Sequence, residues 1–215
     1  MIQLEVWGPY ALFTRGEMKV ERVSYDVPTP SAARGIVESL YYHPGIRWHI
    51  RRIYVLNPIE FTTIRRNEVK SKILGSTAMR IAQGKEDERY LVTTKQIVQR
   101  ASMVLTNVRY VIEAEFEMLP EKAAPGDNPG KFQDIVTRRM RKGQCFSTPY
   151  FGCREFPAHF KQWEGAPIPT IDETRDLGFM LYDFDYSDPQ NITPLYFRAK
   201  MEHGVIQVAG CEVFR

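Results

Sequence analysis

Two amphipathic segments opened by proline fall between segments of alternating apolar and polar residues, in the order strand, helix, strand, strand, helix, strand. This order predicts an α+β protein built on a ferredoxin-like (RRM-like) domain. Two further observations complete the reading. A polar, basic, weakly periodic stretch from about 60 to 100 reads as an insertion, and beyond residue 155 the chain turns proline-rich and then strand-rich. The expected organisation is a domain over 1–155 carrying the insertion, with a β-rich C-terminal appendage over 156–215 packed on it. At 215 residues the chain is long enough to bury such a core without disulfides or metals.

The first strand is predicted from Ile2, Leu4 and Val6 alternating with Gln3 and Glu5. Thr29-Pro30 then opens a helix, threonine as N-cap and proline at the first helical position, with Ala33, Ile36, Val37 and Leu40 on one face. Pro44-Gly45 stops it. Ile46, Trp48 and Ile50 alternate with Arg47, His49 and Arg51, and Ile53 and Val55 continue in the opposite phase, so a bulge or two-sided coverage is expected there. The insertion is read as loops and a short hairpin. Val104, Thr106, Val108, Tyr110, Ile112, Ala114 and Phe116 mark the next strand, and Asn128-Pro129 repeats the cap signal before Phe132, Ile135, Val136 and Met140. Gly143 ends that helix, and Cys145 to Phe151 reads as the fourth strand. Further on, Gly178 to Tyr186 reads as a strand, and Leu195 to Met201 is expected to pair with Val205 to Val208 as a hairpin.

Composition narrows the function classes. Cys145, Cys153 and Cys211 form no CxxC pair, and adding His159 yields no recognisable zinc spacing, so no metal site and no cofactor is expected. No glycine-rich phosphate loop and no hydrolase triad is apparent. The N-terminus lacks the pattern of a signal peptide, and no apolar run approaches membrane-spanning length, which predicts a cytoplasmic protein without a membrane partner.

The net charge of +3, from 29 basic and 26 acidic residues, hints at an anionic partner, and its distribution is more informative. From Arg47 to Lys72 seven basic residues (Arg47, Arg51, Arg52, Arg65, Arg66, Lys70 and Lys72) face two acidic ones, a local +5. They are interleaved with Trp48, Tyr54 and Phe61, the combination that phosphates and unstacked bases use, so RNA binding is favoured over a merely solvated strand. A second cluster of Arg138, Arg139, Arg141 and Lys142 ends the second helix, where complementing the helix dipole is the better reason for it. Lys131 falls in the first turn of that helix, where a cation opposes the dipole but suits an anion site. Tyr41 flanks the apolar stripe of the first helix near its end. His43 lies some 200° further round if the helix continues, so the two share a site only if it has ended.

Five stretches resemble the CRISPR-associated proteins of the Cas-five family in their type I-C, or d, form. They are EVWGPYALFTR (Glu5 to Arg15), SYDVPTPSAARGIVESLYYHP (Ser24 to Pro44), GKFQDIVTRRMRKG (Gly130 to Gly143), FGCREF (Phe151 to Phe156) and MEHGVIQV (Met201 to Val208). The resemblance covers nearly the whole chain. It implies a ferredoxin-like domain with a β-rich C-terminal part, acting as a metal-independent endoribonuclease that cuts CRISPR repeat RNA to make guide crRNA. It further implies that the product stays bound in an interference complex beside the Cas-seven backbone and Cas-eight large subunits. The family's catalytic tyrosine carries over to Tyr41 and its lysine to Lys131, while its histidine is replaced by Phe132. Either two groups suffice, or His43 substitutes, or this chain is a non-catalytic scaffold that grips the crRNA 5′ end. The chemistry implied is attack by the substrate 2′-hydroxyl, leaving 2′,3′-cyclic phosphate and 5′-hydroxyl ends, with Tyr41 moving a proton and Lys131 neutralising charge. Arg47, Arg51, Arg65, Arg66, Lys70, Lys72, Arg138 and Arg139 are the candidate RNA contacts.

Overall fold

The computed structural model describes residues 1–18, 20–85 and 92–215. It is a mixed α+β structure dominated by one large, mostly antiparallel sheet. In chain order the elements are β1 (Ile2–Ala11), β2 (Arg22–Val23), α1 (Pro30–Leu40), β3 (Ile46–Val55), β4 (Glu60–Val69), α2 (Gly75–Ala82), α3 (Thr93–Gln96), β5 (Ile97–Met118), α4 (Pro129–Lys142), β6 (His159–Gln162), β7 (Arg175–Asp185), β8 (Thr193–Glu202), β9 (Val205–Gln207) and β10 (Val213–Phe214).

Four strands lie side by side in the order β3, β5, β1, β6, each antiparallel to its neighbour. The period of two sorts their side chains. Ile2, Leu4 and Val6 of β1 enter the core with Ile46, Trp48, Ile50, Ile53 and Val55 of β3, while Gln3, Glu5 and Trp7 occupy the other face. The phase change in β3 is a bulge. Register shifts between Ile50 and Arg52, leaving Arg51 as the additional residue, so both halves of the strand turn apolar side chains inward.

Helices α1 and α4 bury their stripes in the same core, through Ala33, Ile36, Val37 and Leu40 on one and Phe132, Val136 and Met140 on the other. Each begins as its sequence dictates. Thr29 Oγ1 accepts the Ala32 N–H at 3.1 Å and Asn128 Oδ1 accepts the Lys131 N–H at 2.9 Å, contacts worth about 1 kcal/mol each. Gly143 ends α4 in the left-handed conformation at φ 62°.

Two expectations are corrected, and a third holds over a shorter length. The stretch Cys145 to Phe151 is not a strand; it makes only an isolated bridge from Tyr150 to Pro157, and the strand that flanks β1 is β6. It forms a loop instead, with Phe151 N–H donating to Phe156 O (2.8 Å) and Phe151 O accepting from Leu12 N–H (3.0 Å), which buries Phe151 while Phe146 and Tyr150 stay exposed. The stretch from 60 to 100 is no loop insertion. Strand β4 and the first half of β5 pair without interruption from Glu60↔Thr106 to Val69↔Ile97, with α2 and α3 beyond their tip; residues 86–91 of the insertion lie outside the described residues. Most of β4 is half-buried or exposed, so no buried face imposes an alternation that the sequence could display. The hairpin of β8 and β9 exists through a His203-Gly204 turn with both φ positive, yet it holds only two residue pairs. The long partner of β8 is β7, and β9 joins β3 at Ile53↔Ile206.

The left-handed Gly152 (φ 77°) shows how closely the 151–156 loop sits on the end of β1, because a Cβ there would lie 2.0 Å from the Leu12 carbonyl oxygen. Gly152→Ala is therefore expected to cost about 2 kcal/mol or more, read as a lower urea midpoint at unchanged m-value. A wild-type midpoint would mean that the loop yields freely.

Candidate active site

Helix α1 ends at Leu40, and Tyr41 leaves it in an extended conformation (φ −150°, ψ 111°) while its N–H still reaches Val37 O at 3.3 Å. In extended chain, residues two apart share a face. The rings of Tyr41 and His43 consequently lie on one side, 6.3 Å apart and 16° from parallel. The condition that sequence placed on their sharing a site is met. Trp48 Nε1 donates to Tyr41 O at 3.1 Å, Phe132 packs 5.9 Å from the phenol ring, and the Arg139 guanidinium lies 5.1 Å over it. Arg139 also donates to the Leu40 carbonyl, one of the orphan acceptors at the end of α1, so a side chain of α4 caps α1. Tyr41 is thereby fixed and only 8% exposed.

The cap at Asn128 sets Lys131 in the first turn of α4, and the residue that answers its charge is Asp127. Asp127 Oδ1 accepts from Lys131 Nζ at 2.8 Å; Oδ2 accepts the Ala124 N–H at 2.8 Å and lies 3.7 Å from His43 Nε2. The Asp127 side chain is 1% exposed. His43 Nδ1 accepts the Gly45 N–H at 3.0 Å, which assigns the proton of the neutral ring to Nε2, on the side facing Asp127. Phe132, fully buried, lies 4.8 Å from that ring.

Electrostatics follow from these contacts. The hydrogen bond from Lys131, and then the Ala124 N–H, hold Asp127 below the ordinary carboxylate range, and the bond to Asp127 raises Lys131. A depressed carboxyl contributes stability above its ordinary pKa and loses it as pH falls; a raised ammonium contributes below its ordinary pKa and loses it as pH rises. The pair thus stays charged throughout the interval between the ordinary values of 3.8 and 10.5. Burial pushes the Tyr41 phenol up, against the opposing pull of Lys131 and then Arg139. At neutral pH the site presents a protonated phenol, a fixed ammonium and an imidazole N–H, which suits proton donation and charge neutralisation rather than proton abstraction.

The structure brings Tyr41, His43, Lys131 and Arg139 together, and the other candidates lie elsewhere. Arg47 and Arg51 sit on the face of β3 turned from the helices. There Arg51 meets Glu115 at 3.1 Å, while His49 and Arg52 meet Glu117 (3.0 Å) and Glu113 (3.4 Å). Arg65, Lys70 and Lys72 are exposed on the hairpin side, whereas Arg66 pairs with Glu155. Arg138 is exposed on α4. Of the interleaved aromatics, Trp48 is a core residue packed 5.4 Å from Phe116, and the Tyr54 hydroxyl donates to Glu113 at 3.2 Å; Phe61 is partly exposed. Asp127 was not singled out from sequence, although its position four residues before Lys131 was a usable signal. Among the described residues no group of His, Cys, Asp or Glu is placed to hold a metal ion, and no helix is long and apolar enough to cross a membrane.

Comparison with known proteins adds independent information. The Cas5d model, described as CRISPR-associated protein (Cas_Cas5), matches residues 1–209. A CRISPR pre-crRNA endoribonuclease Cas5d of Mannheimia succiniciproducens is 46% identical over 214 residues, covering 96% of this chain and 94% of its own. Its namesake from Thermus thermophilus is 37% identical over 224 residues, covering 96% and 90%. Two crystal structures share the fold. One is a CRISPR-associated protein (TM-score 0.70, 23% identity, 100% and 96% coverage); the other is a functionally uncharacterized Streptococcus mutans protein (TM-score 0.69, 22% identity, 100% and 96% coverage).

The raised phenol gives a direct expectation for the site. In a spectrophotometric titration, the difference between wild type and Tyr41→Phe should show Tyr41 ionising above the ordinary value of 10.0. Ionisation well below that value would mean that Lys131 and Arg139 outweigh burial and that the phenol can serve as a base.

Proposed function

The chain belongs to the Cas5d family of CRISPR-associated proteins, and from that premise we propose that it binds and cleaves CRISPR repeat RNA to make guide crRNA, as a metal-independent endoribonuclease. The observation that carries this reading is the convergence of Tyr41, Lys131 and His43 at the end of α1, with Lys131 held charged by Asp127. The β3, β5, β1, β6 order with two helices in one core supports a ferredoxin-like unit over 1–155, its fourth strand supplied from just beyond that boundary, with 156–215 packed on it. In this reading the protein works in the cytoplasm and keeps its product, joining Cas-seven backbone and Cas-eight large subunits.

The proposed chemistry uses the substrate's own nucleophile. The 2′-oxygen attacks phosphorus and its proton passes to water, because the Gly45 N–H occupies the His43 Nδ1 lone pair and Tyr41 is protonated. Lys131 neutralises the phosphorane as charge develops. Tyr41 gives its proton to the departing 5′-oxygen, and the phenolate formed beside Lys131 and Arg139 recovers a proton from solvent. His43 substitutes for the family histidine as an N–H donor rather than as a base. Relying on water for the first proton transfer makes cleavage slow, and keeping the product makes it single-turnover.

The scaffold reading has its own support. Phe132 stands where the family has histidine, and it is wholly buried as a packing residue between Tyr41, His43 and Phe116. Cleavage of labelled repeat RNA in EDTA separates the two readings: a shortened product, lost on 2′-deoxy substitution immediately 5′ of the cut, is expected. No product from the wild type would leave a crRNA-binding scaffold. Tyr41→Phe should lower the single-turnover rate by about 100-fold or more with binding almost unchanged, whereas Lys131→Ala should slow cleavage and weaken binding together. Wild-type rates in both variants would move the active site elsewhere.

Hairpin contacts are tested separately through salt. Replacing Arg65, Lys70 and Lys72 together by Ala should flatten the slope of log affinity against log salt by about 2, at about 0.7 per lost phosphate contact. An unchanged slope would take the hairpin out of the RNA interface.

A further inference from the structure

Strand β6 lies beside β1 in the register Trp7↔His159 and Glu5↔Lys161, and Arg109 of β5 sits opposite Trp7 on the other side. These five side chains share the sheet face turned from the helices. They line an open cleft of about 630 Å³, together with Asn57 and Asn107. Phe116, which packs beside the Tyr41 site, lies seven residues from Arg109 along β5, or about 23 Å of strand, and on the opposite face.

Three features distinguish this cleft from an ordinary solvated sheet. First, the Glu5 side chain is only 2% exposed, and it fixes two cations that are themselves half exposed: Arg109 at 2.7 Å and Lys161 at 3.2 Å. The neighbouring buried carboxylate, Glu113, is closed off by Gln3, Tyr54 and Arg52, whereas Glu5 Oε2 meets only the Lys161 ammonium. One anion thus orders two cations, leaving a net positive charge whose outward N–H groups face the cleft. Second, the Trp7 indole stacks on His159 (5.7 Å between centroids, 26° between planes) and has Lys161 Nζ 5.7 Å from its centroid. Third, Asn107 stands in the left-handed region at φ 48°, its carbonyl held by Asn57 Nδ2 at 2.7 Å, which leaves its exposed side-chain amide directed by a constrained backbone.

An ordered aromatic ring, two preset cations and an amide in one cleft match the parts of a nucleotide in an unpaired strand: base, phosphate and base edge. We propose that this cleft is a second RNA subsite, remote from Tyr41, which stacks one unpaired base on Trp7 and holds the adjoining phosphate between Arg109 and Lys161. The inference rests on the RNA-binding reading above, but not on cleavage. It also gives His159, which forms no zinc spacing with the cysteines, a place in recognition.

The test is anisotropy of the full chain with a labelled unstructured oligoadenylate about ten nucleotides long, comparing wild type with Trp7→Ala, Trp7→Phe and Lys161→Ala. Trp7→Ala should weaken binding about 5- to 100-fold, the range for one lost base–aromatic stack, and Trp7→Phe should recover most of it. Lys161→Ala should reduce the salt slope by about 0.7. Wild-type affinity in all three variants, with melting temperatures unchanged, overturns the subsite, as does a Trp7→Phe variant as weak as Trp7→Ala. Should Trp7→Ala fail to fold, photocrosslinking of wild type to thiouridine-containing RNA decides: a crosslink within Gln3–Pro9 supports the subsite and its absence overturns it. Repeat cleavage by the wild type is scored separately. A chain that never cuts yet loses oligoadenylate on Trp7→Ala disproves the nuclease and keeps the subsite.

Discussion

The register of β5 is the constraint on which the rest of the molecule depends. This 22-residue strand pairs with β4 over its first half and lies between β1 and β3 over its second, so one alternation of side chains fixes three partners at once. A slip of one residue would carry Val104, Val108, Tyr110, Ile112 and Ala114 out of the core and bring Arg109, Glu113 and Glu115 into it. The bulge at Arg51 and the left-handed Asn107 are the local adjustments that let neighbouring segments follow this one register.

From that register the two chemical regions separate. On the helix side, α1 and α4 meet where Arg139 caps the last carbonyl of α1, and the chain turns extended there to carry Tyr41 and His43 past the first turn of α4. On the other side the sheet carries buried carboxylates beneath a layer of cations. The family to which the chain belongs places it in CRISPR RNA processing, and the fold keeps the proposed cutting groups apart from the proposed gripping ones. Tyr41, His43 and Lys131 lie at the helices on one side of the sheet, and Trp7, Arg109 and Lys161 on its other face.

Much of the helical framework was legible in the sequence because its determinants are local. Thr29-Pro30 and Asn128-Pro129 state a cap, and apolar stripes state a face, within one helical turn. The phase slip in β3 was legible for the same reason. What could not be read depended on distant partners. Cys145 to Phe151 has the composition of a strand, but Phe151 is held in a loop against Leu12 while Phe146 stays exposed, and β6 takes the edge instead. Strand β4 has no buried face to pattern it. Trp48 looked like a stacking residue because it stands between basic residues, yet in a strand such neighbours point the opposite way. At the site, Tyr41 and Lys131 stood out by helix position and took their roles from resemblance, and His43 came from a geometric condition, while Asp127 was missed because it joins a histidine 84 residues earlier to the next helix.

The glutamates facing β3 have a further consequence. Glu113, Glu115 and Glu117 are held along β5 against Arg52, Arg51 and His49, so this face carries its own tethered counter-anions. Any polyanion approaching must displace a carboxylate that cannot diffuse away, and the local concentration of that competitor does not fall on dilution. Casual contacts with unrelated nucleic acid therefore return little free energy, because each new ion pair replaces an existing one. Only a strand engaging several places at once gains on the exchange, which makes the sheet face a filter against brief encounters rather than a general adhesive for phosphate.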